Sequence, residues 1–243
     1  MAGHSKWNNI KRRKEAVDAQ RGKIFTKLGR EIAIAVKQGG PDPDANSSLK
    51  DAIARAKAGN MPNDSIQRSI NKAAGGDGND DFAEVVYEGY GPGGIAVMVR
   101  TLTDNRNRTA GDVRHIFGKY GGNLGTNGCV SYQFERKGSL ILDRELYPDE
   151  DQVLIDALEA GAEDVEISDE MFEIITDPAE YHSVLEALTA KNYEFLDLSL
   201  APRPSTWVEL SDDEQSKQME KLIEVMEDHD DVQDVFHNWN QTD

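Results

Sequence analysis

The residues of this chain best suited to chemistry are cations set at regular intervals near its start, and the chemistry they suit is phosphate neutralisation. Lys6, Lys11, Arg12, Arg13, Lys14 and Arg21 are interleaved with Trp7 and the pair Asn8-Asn9. Beyond them Lys23, Lys27, Arg30 and Lys37 fall within an arc of roughly 80° when the segment is wound as a helix. Ile24, Phe25, Leu28, Ile32, Ala35 and Val36 take the opposite side. Such a helix buries one stripe and presents a row of cations on the other. Each phosphate it neutralises releases counterions, so its affinity is sequence-tolerant and salt-sensitive. Trp7 can stack on a base, and the asparagines can reach base edges or sugars. Two plainer roles compete with this one: a solvated helix face, or a basic face that docks onto an acidic surface of the same molecule.

A second cluster lies in Thr101-Leu102-Thr103-Asp104-Asn105-Arg106-Asn107-Arg108-Thr109, which leaves a strand and opens a helix carrying Val113, Ile116, Phe117 and Tyr120. Arg106 and Arg108 then stand near a helix N-terminus, where the dipole disfavours cations by a few tenths of a kcal/mol each. Asp104 or Thr103 can cap the helix without them. Local stability therefore does not call for these arginines. A phosphate would be met there by guanidinium and helix N–H groups together; pairing with acidic neighbours is the alternative.

Catalytic constellations are missing. His4, His115, His182, His229 and His237 have no metal-ligand spacing, and Cys129 has no flanking base, so it reads as a small buried hydrophobe. A free amino terminus at Ala2-Gly3-His4 could chelate Cu(II) or Ni(II), but as biology this is a minor option. Tyr90-Gly91-Pro92-Gly93-Gly94 lacks the pattern of a P-loop, and Gly122-Asn123-Leu124-Gly125 is better read as a turn than as a backbone clamp. Tyr132 and Phe134 share a strand face with Val130, which predicts a core role. No cofactor, no metal and no enzymatic activity are expected.

The elements that must position these residues follow charge as well as periodicity. Residues 1–75 carry 15 Lys+Arg against 7 Asp+Glu, residues 76–137 carry 7 against 8, and residues 138–243 carry 5 against 30, within a net charge of −18. A basic module is thus borne by an acidic body, and a phosphate backbone responds to the local field. Mean hydropathy is −0.63, and no apolar run approaches the ~18 residues that cross a bilayer. No secretory signal or myristoylation site is expected, and a single cysteine suits a reducing compartment, so the cytoplasm is the expected location.

Helical spacing predicts a helix over 23–37, a second capped by Asp44 or Asn46, and a third from about Pro62, followed by a Gly/Asp linker at 75–81. Strands are predicted at 83–89, 94–103 and 128–135, with a helix at 106–120. The order strand 139–143, helix 149–160, strands 164–168 and 171–176, helix 178–191, strand 194–200 is the ferredoxin-like β-α-β-β-α-β pattern. Pro202-Arg203-Pro204 is read as its end. A strand at 206–210, a helix at 211–228 and a strand at 232–238 would complete a second such unit together with 94–135. The expected class is α+β with three domains: a basic helical domain (1–78), a discontinuous α/β domain (79–137 and 205–243), and an acidic α/β domain inserted into it (138–204).

Met1-Ala2-Gly3-His4-Ser5-Lys6-Trp7, Arg21-Gly22-Lys23-Ile24-Phe25-Thr26-Lys27-Leu28, Asn60-Met61-Pro62, Tyr87-Glu88-Gly89-Tyr90-Gly91-Pro92-Gly93-Gly94 and Thr103-Asp104-Asn105-Arg106-Asn107-Arg108-Thr109 together resemble the YebC/PmpR family, which includes the mitochondrial translational activator of cytochrome oxidase subunit one. The resemblance spans essentially the whole chain. It implies a three-domain protein and non-enzymatic control of gene expression, through DNA as a transcriptional regulator or through the ribosome as a translation factor. Gly111-Asp112 departs from the family's usual Ser-Glu and softens the helix there. The expectation is a cytoplasmic nucleic-acid-binding regulator, with RNA and the ribosome favoured over DNA, contacting it through Lys6, Trp7, Lys11, Arg12, Arg13, Lys14, Arg21, Lys23, Lys27, Arg30, Arg106 and Arg108. Partners of the acidic domains are not specified.

Overall fold

Apolar residues at helical spacing draw residues 18–75 into three helices around their own core. The computed structural model describes residues 18–75 and 82–241. Helices α1 (Asp18–Gly39), α2 (Ser47–Ala58) and α3 (Asn63–Ala74) bury Ile32 and Val36, Leu49 and Ala56, and Ile66 and Ile70 against one another. Asn46 fixes the first corner. Its Nδ2 donates to the carbonyls of Ala35 (2.7 Å) and Gly40 (2.8 Å), and its Oδ1 accepts from the Leu49 N–H at 3.1 Å. One buried amide thus closes the end of α1 and starts α2, so Asn46 and not Asp44 is the cap. The predicted linker lies, apart from Gly75, outside the described residues.

After it the period changes from helical to alternating. β1 (Ala83–Tyr90) and β2 (Ala96–Thr103) form a hairpin in register from Ala83 opposite Thr103 to Tyr90 opposite Ala96. Gly93 lies at the turn with φ 66°, and a Cβ there would stand 2.2 Å from Leu210 Cδ2, so only glycine fits. Helix α4 (Arg106–Lys119) and the short β3 (Asn123–Leu124) follow. β4 (Phe134–Asp143), α5 (Glu150–Ala160), β5 (Asp164–Ile167), β6 (Met171–Thr176), α6 (Tyr181–Ala190) and β7 (Asp197–Pro204) come next, and α7 (Asp213–Asp228) and β8 (Val232–His237) close the chain.

The strands make two four-stranded antiparallel sheets, ordered β3-β1-β2-β8 and β5-β6-β4-β7. The second has ferredoxin-like connectivity, with its core of Leu140, Phe172, Ile174, Val184 and Leu188 under α5 and α6. The first is covered on one side by α4 and α7, whose Val113, Phe117, Leu222 and Met226 meet Val97 and Val99. The fold is thus a helical domain followed by two α/β units, of class α+β.

Four local expectations are corrected. Residues 128–135 do not form a strand of the first sheet: Asn123–Leu124 takes that edge, and the next strand starts at Phe134. Residues 206–210 contribute only an isolated parallel bridge, Val208 to Trp239. The place beside β2 is taken by β1, which the tight hairpin brings there first. Pro202–Pro204 does not end the second unit but continues β7, pairing with Phe134–Arg136 at the sheet edge, where proline's missing N–H costs nothing. Tyr132 is no core residue: it is 75% exposed.

Candidate nucleic-acid interface

The cationic stripe of α1 forms as its spacing dictates, but it faces the protein's own acidic helix. Lys23 Nζ meets Asp228 Oδ1 at 3.0 Å. Lys27 Nζ donates to the Glu227 carbonyl at 2.7 Å, and Arg30 donates to the Asp230 carbonyl at 2.7 Å. These acceptors cluster at the C-terminal end of α7, where unpaired carbonyls and the helix dipole attract cations. Arg30 also stacks over Phe82, 4.9 Å from the ring centroid. Arg21 and Lys37 are exposed on the same helix. Lys6, Trp7, Lys11, Arg12, Arg13 and Lys14 lie outside the described residues.

Arg106 and Arg108 stand at the first turn of α4, as expected, but the cap is Asn105, whose Oδ1 accepts the Arg108 N–H at 3.1 Å, not Asp104 or Thr103. The two arginines differ. Arg108 bridges Asp104 (2.8 Å) and Asp231 (2.9 Å), the acidic pairing that stood as the alternative to phosphate. Arg106 is exposed and has no ion pair among the described residues.

Asp231 is the hub of this region. It is 3% exposed and accepts Arg30 on Oδ1, and Arg108, Thr103 and Thr109 on Oδ2. Burial alone would raise its carboxyl, but the hydrogen bonds from Arg108 and Thr109 and the Arg108 charge outweigh it and hold the group below the usual carboxylate range. A second cluster lies beside it. Glu31 of α1, Arg55 of α2, Arg100 of β2 and Asp234 of β8 interlock, with Arg55–Glu31 at 2.9 Å and Arg100 Nε–Asp234 at 2.8 Å, and Arg55 also pairing with Asp234. Asp234 is held far below its ordinary range: burial opposes ionisation, and the two guanidiniums more than offset it. Both clusters clamp the helical domain to the first sheet. Lys50–Glu186 at 2.8 Å joins α2 to α6.

These partners were not among the residues singled out from the sequence. Arg100, between Met98 and Leu102 in an apolar strand, and Asp234, in the strand after the acidic helix, were the available signal: a charge on a predicted buried face requires an opposite one. A cleft of about 870 Å³ lies between the three parts, and Lys27, Glu31, Arg55, Arg100, Asp234 and Arg203 reach it. Its mixed signs do not suit a polyanion. Among the described residues no His/Cys/Asp/Glu group could hold a metal, and no helix is long and apolar enough to cross a membrane.

Comparison with known proteins places this geometry. Residues 5–76 match the TACO1/YebC protein N-terminal domain, and residues 82–239 match the TACO1/YebC second and third domain. The chain belongs to the TACO1/YebC family. Among its YebC-family relatives, a probable transcriptional regulatory protein of Acetivibrio thermocellus is 57% identical over 98% of this chain and 99% of its own. A probable transcriptional regulatory protein of Hathewaya histolytica is 52% identical over 98% of this chain and 96% of its own. The crystal structure of a conserved hypothetical protein from Aquifex aeolicus superposes with a TM-score of 0.85 at 46% identity, covering 92% of this chain and 91% of that one. The YebC-family fold therefore extends through all three parts.

Proposed function

We propose that this chain is a nucleic-acid-binding regulator of gene expression that acts without catalysis, and that it binds RNA within a protein-containing particle such as the ribosome. The observation that carries the reading is the segregation of charge. In a chain of net charge −18, the helical domain turns Lys57, Arg68 and Lys72 to solvent without an ion pair to any described residue. The carboxylates gather instead on α7 and on the second sheet's unit. The names of the relatives support regulation, and those names favour DNA as the second reading.

RNA is preferred on electrostatic grounds. A long bare duplex laid on the cations would bring further phosphates against the carboxylates of α7 and the inserted unit. A ribonucleoprotein offers RNA to the basic part and basic proteins to the acidic part. Crosslinking the full chain in cells and sequencing the attached nucleic acid, together with sedimentation, tests the preference. The expected result is RNA crosslinks and co-migration with ribosomal particles that weakens as salt rises. Promoter binding with a specificity ratio of ~10³ or more over random duplex, and no ribosomal association, would establish the transcriptional reading instead.

A further inference from the structure

The stripe singled out from the sequence is engaged inside the molecule, so the described cations that remain available must be sought elsewhere. They gather on α4. Its inner side is apolar, with Val113, Ile116 and Phe117 buried; its outer side exposes Asn107, Arg114, His115 and Lys119, and Arg106 is exposed at its first turn. Arg106 and Arg114 form no ion pair with any described residue. Lys119 lies over the neighbouring Tyr120 ring, 5.2 Å from its centroid. The one acid of the helix, Asp112, is drawn toward His229 at 3.4 Å, and Asp104 is taken by Arg108. The chain holds 45 Asp+Glu against 27 Lys+Arg, so carboxylate partners were plentiful. That two exposed arginines of one helix have none is not explained by folding.

The same side has a second property. Gly111 and Gly118 are exposed, and apart from the adjoining helix backbone no atom lies within 4 Å of where a Cβ would stand at either. Neither glycine is required by packing, and each costs about 1 kcal/mol relative to alanine inside a helix. The open surface lets an extended chain lie close to the helix between the flanking cations.

We propose that the outer side of α4 binds the sugar–phosphate backbone of single-stranded RNA, with Arg114 and Lys119 as the flanking phosphate contacts and Arg106 as the contact at the helix's N-terminal end; this rests on the RNA-binding reading above. The helix is ~20 Å long, enough to follow several phosphates of one strand. A single strand fits better than a duplex because α7 packs beside α4 and turns Glu220 and Glu224 to solvent. The wider duplex would meet those carboxylates. Contacts are to phosphate and sugar, so the surface is sequence-tolerant.

The test uses the full chain and a fluorescein-labelled 12-mer of oligouridine, read by anisotropy across a salt series. Arg106→Gln with Arg114→Gln should weaken binding about tenfold or more at 0.1 M salt and reduce the slope of log Kd against log salt by about 1.4, the value for two phosphates on a single strand. Melting temperature should hold, since neither side chain pairs within the fold. Gly111→Ala with Gly118→Ala should raise the melting temperature and still weaken RNA binding, an opposition that a purely structural role cannot produce. Unchanged affinity and slope in the arginine pair, while Arg68→Gln with Lys72→Gln loses affinity, would overturn the α4 surface and leave the RNA reading intact. Failure of the unaltered chain to bind the oligomer would overturn both. Equal affinity for a 12-base-pair RNA duplex, equally lost in the arginine pair, would refute the single-strand assignment.

Discussion

Arg30 of the helical domain reaches Asp231 of the first α/β unit at 3.3 Å, on the carboxylate oxygen opposite the one that Arg108 occupies. That contact decides how the cationic stripe is to be read. A row of cations on one helix side is equally good for phosphate and for an acidic surface of the same molecule, because both offer oxygen acceptors and negative potential. Here the acceptors are the Glu227 and Asp230 carbonyls and the Asp228 and Asp231 carboxylates. The stripe clamps the helical domain to the C-terminal end of α7.

Removing the shared anion should loosen that clamp. Asp231→Ala leaves Arg30 and Arg108 facing each other without their common acceptor and takes from the Thr103 hydroxyl its acceptor. The expected loss is about 2–3 kcal/mol in chemical denaturation, with faster hydrogen exchange in α1. Arg30→Ala alone should cost about 1 kcal/mol or less, since that side chain retains water access. An unaltered denaturation midpoint in Asp231→Ala would show that the apolar contacts hold the domains without the clamp.

Glu88 offers an independent test, away from the domain boundary. Its buried carboxylate accepts the N–H groups of Gly128 (2.8 Å), Val130 (2.9 Å) and Ser131 (2.9 Å). Burial raises the carboxyl, but these donors overcome it and the group is held below its ordinary range. Glu88→Gln replaces one acceptor oxygen with an NH₂ that faces an N–H donor. It should cost about 2 kcal/mol, and the amides of 128–131 should lose protection first. If those amides exchange as in the unaltered chain, the loop is held by something other than Glu88.

That cradle also explains where the sequence was and was not legible. Helix spacing placed α1, α4 and α7 to within a few residues because each has a continuous apolar stripe, and the second sheet followed from alternating strands and helices. Residues 128–135 looked like a strand because Val130, Tyr132 and Phe134 alternate. Three of their neighbouring amides instead turn toward Glu88, a residue forty positions away, so no ladder forms and Tyr132 is left exposed. The segment at 206–210 makes only a bridge and β1 pairs with β2 for a related reason: pairing partners are set by the tight turn at Gly93, which periodicity does not report. At the candidate site the positions of Lys23, Lys27, Arg30, Arg106 and Arg108 were legible. What they face was not, because Asp231 and Asp234 arrive from the far end of the chain. Arg114 and Lys119 were passed over because single cations on a helix carry no signal until their lack of partners is seen.

Stability should fall on mild acidification through a single buried imidazole. Burial pushes His237 down to about 4, and in its neutral form Nδ1 accepts the Trp239 N–H at 3.3 Å. An unfolded histidine titrates near ~6.5. The unfolded chain therefore takes up the proton first as pH drops, so the stabilisation is whole above ~6.5 and is lost progressively toward pH ~4. A shift of this size corresponds to about 3 kcal/mol. The carboxyls held low, Glu88, Asp231 and Asp234, lose most of their contribution once pH falls below the ~4.3 of a free glutamate and the ~3.9 of a free aspartate, so the decline between pH ~6.5 and ~5 is led by His237. Urea unfolding at pH 7.5, 6 and 5 should show the decline, and His237→Gln should flatten it over the same range while lowering stability at pH 7.5. A His237→Gln chain with the same pH slope as the unaltered protein would assign the acid sensitivity to another group.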